Sequence, residues 1–289
     1  MRYCGREFSN QEISLIRQLR TDNPSLNRTK FSKLVCEKLQ WLKMNGELKE
    51  MSCRVALIRM QADHLIQLPL PTKKAPCSRV RIHFTERTDV GEAVSAPIHL
   101  LGQVRLERAI GSSALSLWRE YIERYHYLGY TQLPGAQIRY FIYAGTRLVA
   151  LLSFSAAAWK TAPRDQFIGW SQEQRQKNLH YIINNSRFLI LPWVRSANLA
   201  SKILSIAAKQ LPRDWLELYA YQPVLFETFV DSQRFVGGCY KAANWMYLGQ
   251  TTGRGKLGRT GKAKIPVKDI WVYPLNKNFK KVLCSKEYA

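Results

Sequence analysis

The stretch IRYFIYAGTRLVALLSFSAAAW, residues 138–159, limits the fold more than any other part of the chain. Two apolar runs rich in aromatic and branched side chains flank Ala144, Gly145 and Thr146, which is the pattern of a β-hairpin with a short turn. A hairpin so apolar must bury its faces against other layers. The neighbouring sequence offers them. LSLWREYIERYHYLG (115–129) reads as a helix before it, SRFLILPWV (186–194) as an apolar strand after it, and NLASKILSIAAKQL (198–211) as a helix. LELYAYQP (216–223) then reads as a strand, FETFVDSQRF (226–235) as a helix and GCYKAANWMYLGQT (238–251) as a further strand. The alternation predicts a mixed α/β domain over 99–289, ending in a basic segment.

The first 75 residues have a different texture. SNQEISLIRQLRTDN (9–23) has a Ser9 or Asn10 cap and Ile13, Ile16 and Leu19 at helical spacing. In NRTKFSKLVCEKLQW (27–41), Phe31, Leu34, Val35 and Leu39 line one face, while Arg28, Lys30, Lys33 and Lys38 lie off it. MSCRVALIRMQADHLI (51–66) supplies a third helix with Arg54 and Arg59 pointing outward, and LIQLPLP (65–71) an extended, proline-stopped strand. Three helices and a strand predict a winged helix-turn-helix-like module over 1–75, with Ser52, Arg54 and Arg59 nearest DNA. A small protein-docking bundle has the same periodicity. Residues 76–98, mixing proline and charge, read as a linker.

Charge narrows the partner. Lys and Arg number 44 against 21 acids, a formal +23. Residues 1–75 carry 14 cations and 7 anions, and residues 253–289 carry 10 and 2. Excess of this size at both ends points to DNA. The expected contacts are Arg28, Lys30, Lys33, Arg54 and Arg59 near the start, and Trp245, Arg254, Lys256, Arg259, Lys262 and Lys264 near the end. Tyr240, Trp245 and Tyr247, on an exposed strand, would offer ring faces for base stacking. The contrary reading makes Trp245 core and the glycine-rich tail a solvated loop. No apolar window reaches the roughly 18 residues of a membrane span, the start lacks a signal-peptide core, and the six cysteines show no metal-binding spacing. An intracellular protein without zinc is expected.

For chemistry, Glu227 stands out between Phe226 and Phe229, because a carboxylate in an apolar run needs a partner or a purpose. Either it pairs, with Arg187 or Arg195, or it acts. Asp165, Asp214 and Asp231 would join it in holding Mg²⁺ or another divalent metal for phosphodiester cleavage. Tyr240 is a candidate nucleophile and His126 a candidate base, though a histidine between tyrosines is often structural. Asn184 and Asn185 suit backbone hydrogen bonds at a turn.

Two resemblances follow. The order helix, hairpin, strand, helix, strand, helix, strand resembles the GNAT acyltransferase fold, whose helix after the central strand presents its N-terminus to a pyrophosphate. RSANLA (195–200) aligns with that family's glycine loop but has Asn198 where glycine is wanted. The family's tyrosine acid is expected to be missing from the next helix, with Phe229 nearby, so acetyl-CoA is not an expected cofactor and acyl transfer ranks second. YHYLG (125–129), NNSRFLILPWVRSANLAS (184–201), DWLELYAYQPVLFETFV (214–230) and YKAANWMYLGQTTGRGK (240–256) together resemble the DruA family of the Druantia anti-phage systems. That resemblance implies a bacterial, cytoplasmic, DNA-directed protein that works with other defence or mobile-element proteins. The leading expectation is therefore DNA strand cleavage or transfer by Glu227, Tyr240 and His126, with a GNAT-type acyltransferase and a non-catalytic DNA-binding adaptor as alternatives.

Overall fold

The computed structural model describes residues 1–71, 82–253 and 266–285. The chain divides into two compact units, Met1–Val80 and Arg81–Ala289. In the first, β1 (Arg2–Tyr3) and β2 (Arg6–Glu7) form a minimal hairpin. Helix α1 (Asn10–Asp22) starts at a capping box: the Ser9 side chain accepts from Glu12 N, and the Glu12 side chain accepts from Ser9 N. Helix α2 (Arg28–Lys38) is capped by Asn27, and α3 (Glu50–Ala62) completes the trio. Ile13, Ile16, Phe31, Val35, Leu57 and Met60 pack together as the core, which is the helical spacing at work.

Two features depart from expectation. Between α2 and α3 lies a hairpin-like loop, bridged at Leu42 and Leu48, instead of the short turn of a helix-turn-helix. Residues 65–71 form no strand. Their carbonyls meet arginines instead of a strand partner: Arg17 Nε donates to Leu65 O at 2.8 Å and Arg28 Nε to Pro69 O at 2.7 Å. The outer side of α3 exposes Met51, Val55 and Ile58 beside Arg59.

The second unit contains β3 (Val94–Ser95), β4 (Val104–Arg108), α4 (Gly111–Tyr125), β5 (Gln137–Ala144), β6 (Arg147–Ala156), α5 (Ala162–Ile168), α6 (Gln172–Asn178) and β7 (Ile182–Ile190). It continues with β8 (Val194–Arg195), α7 (Leu199–Tyr219), β9 (Leu225–Asp231), α8 (Gly238–Ala242), β10 (Met246–Gln250), β11 (Lys268–Pro274) and α9 (Phe279–Leu283). Among the described residues these build one seven-stranded mixed sheet in the order β10-β11-β9-β7-β6-β5-β4. Every pairing in it is antiparallel except β7 with β9. The β5–β6 hairpin turns where expected, Ala144 pairing with Arg147 across Gly145, whose φ of 61° suits glycine.

Four expectations change here. Residues 216–219, read as a strand, extend α7, because Leu204, Ala207, Leu211 and Trp215 keep one buried stripe through Pro212. Residues 226–235, read as a helix, supply strand β9, whose near-complete burial between β7 and β11 erases the alternation that marks a strand. The supposed aromatic strand starts as helix α8, so Trp245 is core: 5% exposed, 5.8 Å from the Phe226 ring and 5.1 Å from Tyr240. Only Tyr247 of the three rings is exposed. Residues 84–95, read as linker, pack on the second unit. Glu120 of α4 accepts from Thr85 N and, at 2.7 Å, from the Thr88 hydroxyl, and β3 pairs with β8.

Burial of Trp245 has a measurable consequence. Trp245→Ala should cost about 3–5 kcal/mol in denaturant unfolding of the second unit; a ring free to stack on bases would be removed at almost no cost.

Candidate functional site

Strands β7 and β9 pair only from Ile182–Leu225 to Asn185–Thr228. Beyond that point β7 continues against β6 alone and β9 against β11 alone, so the sheet opens in its middle. The opening coincides with a bulge: Phe154 pairs with Asn185 and Ser153 with Arg187, leaving Ser186 over. The buried Asn185 amide stitches it, its Nδ2 donating to Ser153 O at 3.0 Å and Arg187 O at 3.2 Å. Its Oδ1 accepts from the Tyr240 hydroxyl at 2.8 Å. Thus Asn185 makes the backbone hydrogen bonds expected of it, at a bulge instead of a turn, and also holds a tyrosine in the sheet's interior.

Tyr240 arrives on α8 through a sharp entry at Gly237, whose φ is 71° and where a Cβ would stand 2.8 Å from Trp271. Burial raises the Tyr240 pKa, keeping the phenol protonated. The expectation of a missing tyrosine is corrected here. With 225–231 a strand, the next helix is α8, and it carries Tyr240 in its first turn.

Paired residues share a face of a sheet, as do residues two apart on a strand. Ser155 pairs with Asn184 and Asn184 with Glu227; Ser153 pairs with Arg187 and Asp231 with Lys268. All seven therefore lie on one face at the sheet's centre, and Ser153, Ser155, Glu227 and Asp231 are buried there. A buried polar face needs partners or a ligand.

Much of it is internally satisfied. Glu227 Oε1 accepts from Ala158 N and Oε2 from Arg164 Nη1, both at 2.8 Å, and neither residue of the Arg164–Glu227 pair has exposed surface. Arg164 also binds Asp165 at 2.8 Å, which in turn binds Arg175 at 3.1 Å. Arg164, from α5, is the partner in place of the expected Arg187 or Arg195. Asp214 faces elsewhere, accepting from the Tyr140 hydroxyl at 2.7 Å, and Asp231 sits at the far end of β9 beside Arg234 at 3.7 Å. The four carboxylates expected to hold a metal are thus dispersed, and among the described residues no group of three or more His, Cys, Asp or Glu could hold one.

The open end of the face is cationic. Arg187 donates from Nε to Gly129 O at 3.1 Å and from Nη1 to Ser186 O at 2.7 Å. Burial, Arg187 and Lys268 push the His126 pKa down to about 4, so its imidazole is neutral near pH 7. Burial lowers the pKa of Lys268 despite Asp231, with Arg187 adding to the effect. The His126 ring stacks on Tyr127 at 4.9 Å, and Arg234 lies over Tyr127 at 5.2 Å.

Helix α7 begins after β7 and β8. Its N-cap, Asn198, takes the left-handed φ of 64° that a glycine would take, and no side chain caps the helix. The Ser196 hydroxyl just before it is buried and has no hydrogen-bond partner among the described residues. A pocket of about 320 Å³ opens here, lined by Asn198, Ser201, Lys202 and Ser205, by Asn244 after α8 and by Tyr273. Asn198, expected where the resembled family wants glycine, thus takes a backbone conformation that glycine favours.

Of the cations expected on DNA, Lys30, Lys33 and Arg59 are exposed, Lys33 lying 4.0 Å from Glu37. Arg28 is tied to Pro69, and Arg54 to Glu50. Arg254, Lys256, Arg259, Lys262 and Lys264 lie outside the described residues.

Residues 59–262 match the family model described as Druantia protein DruA. No curated protein sequence matches. Among solved structures, a spermidine N-acetyltransferase chimera from Vibrio cholerae and human SSAT is similar at a TM-score of 0.39 and 11% identity, over 60% of this chain and 96% of that one. An acetyltransferase from Salmonella typhimurium that modifies the N-terminal serine of ribosomal protein L7/L12 gives 0.36 and 12%, over 60% and 95%. FeeM, an N-acyl amino acid synthase from uncultured soil microbes, gives 0.36 and 10%, over 60% and 93%. Likeness at these TM-scores assigns no activity.

The Arg164–Glu227 pair makes its own test. Glu227→Gln should destabilise the second unit by about 3–5 kcal/mol, because it strands a buried guanidinium. Replacing both Arg164 and Glu227 with Met should recover much of that loss in the same urea titration.

Proposed function

The chain belongs to the DruA family, and from that premise we propose that it is a defence protein whose second unit is built for acyl transfer from a coenzyme A thioester in preference to cutting DNA. The observation that carries this reading is the Tyr240 hydroxyl, delivered by α8 to the point where β7 and β9 part and aligned there by Asn185. A phenol with a raised pKa holds its proton at neutral pH, which suits an acid and disfavours a nucleophile. Glu227 is poorly placed for strand cleavage, since both oxygens are engaged and none of its surface is exposed.

The start of α7 fits the coenzyme's phosphates. An uncapped helix N-terminus and the Lys202 side chain would hold them beside the 320 Å³ pocket. Bound there, the coenzyme supplies an acyl group activated as a thioester. The Asn198 side chain takes space that glycine would leave, but its left-handed backbone keeps the turn. In the free protein the Tyr240 proton is donated to Asn185 Oδ1, so acid catalysis requires the phenol to give up that bond as it turns its proton to the departing thiolate.

DNA contact remains the second reading, favoured by the net +23 and by the exposed Lys30, Lys33 and Arg59. The winged-helix version of it must also account for the apolar Met51, Val55 and Ile58 on the same helix as Arg59.

Calorimetric titration with acetyl-CoA should show saturable binding. Tyr240→Phe should keep that binding while slowing thiol release in the presence of acceptors about 10²-fold. Absence of binding at millimolar acetyl-CoA would sink the acyl-transfer reading. For the second reading, duplex affinity should fall steeply between roughly 50 and 200 mM salt, and a flat response would remove it.

A further inference from the structure

Beyond acyl transfer, and independently of it, we infer that Arg187 and Lys268 form a binding site for a phosphate monoester on the polar face of the sheet. Strand pairing places both residues on that face, Arg187 opposite Ser153 and Lys268 opposite Asp231.

Charge there is unbalanced. Arg164 and Arg175 are matched by Glu227 and Asp165, so that quartet is neutral by itself. At the open end, Lys268 and Arg234 both rely on the carboxylate of Asp231, and among the described residues Arg187 makes no ion pair. Cations drawn part-way out of water without counter-charge are costly, and a bound anion removes the cost. Two of Arg187's nitrogens are committed to Gly129 and Ser186; among the described residues its Nη2 and the Lys268 Nζ make no hydrogen bond, and neither is sealed from solvent. A planar guanidinium beside an ammonium matches a group with close to two negative charges better than it matches a singly charged carboxylate.

A phosphate monoester reaches such a pair of cations from a nucleotide or from the phosphorylated end of a DNA strand.

His126 reports on the site without being needed for it. In the free protein Arg187 and Lys268 help burial hold its pKa near 4. A phosphate seated between those cations should raise it by offsetting their share of the shift, while burial goes on holding it down. Imidazole NMR titration of the wild-type protein, with inorganic phosphate against chloride at equal ionic strength, measures this, with acetate as the singly charged control. Arg187→Gln with Lys268→Gln should abolish the phosphate-induced rise. Lys209→Gln with Arg213→Gln, exposed cations elsewhere on the unit, should leave it intact. AMP and a 5′-phosphorylated oligonucleotide, the latter compared with its 5′-hydroxyl twin, separate the two sources, and tighter binding of either than of phosphate supports the site. No rise with phosphate, an equal rise with acetate, or equal loss in both variant pairs overturns it. Because the wild-type titration decides, a variant that fails to fold does not rescue the inference. Failure here leaves acetyl-CoA binding standing, and failure of acetyl-CoA to bind leaves this site standing.

Discussion

The second unit is organised around one side-chain amide. Asn185 satisfies two backbone carbonyls at the bulge and accepts from Tyr240, so all three of its bonds are made inside the protein. A parallel pair that simply continued would leave no gap. Because the bulge turns β7 away after Asn185, β9 parts from it, α8 can place a ring at the gap, and α7 departs from the opened edge. Loss of that amide would leave Ser153 O and the Tyr240 hydroxyl only long bonds from Ser186 at 3.4 Å and Thr228 at 3.5 Å, and would strip the phenol of its acceptor, a penalty above that of one surface hydrogen bond.

Burial then sorts the charged groups into two kinds. Arg164 and Glu227 lie fully inside, so each demands the other, and their pairing anchors α5 to the sheet face. Arg187 and Lys268 sit at the mouth of the same face, less deeply buried and not matched one to one by acids. The first kind is architecture. The second is where an anion would be welcome, and it is separate from the uncapped start of α7.

The first unit is governed mainly by helix packing, with Phe8, Trp41 and Ile66 closing its core from outside the helices. Ile16, Phe31, Val35 and Met60 close its core, while Met51, Val55 and Ile58 stay outside on α3. A helix face that is both apolar and cationic suits contact with a protein at least as well as contact with a groove of DNA.

Local chemistry was legible in the sequence wherever the local pattern was itself the cause of the structure. Ser9 and Glu12 make their capping box, Ile13 and Ile16 face the core, and Gly145 turns the hairpin, each through contacts with near neighbours. The sequence marks Glu227 as a carboxylate that needs a partner or a purpose, but Arg164 lies 63 residues away and only the fold brings it near. The same limit hid the site. Residues 226–231 read as a helix because a central strand buried on both faces shows no alternation, and that error displaced the next helix and its Tyr240. The polar face could not be seen at all, because Ser153, Asn184, Glu227 and Lys268 become neighbours only through the register of four strands. Sequence determined which residues would be costly to bury alone. Tertiary structure decided which of them met, since a partner's identity depends on strand order and register, to which no local pattern is sensitive.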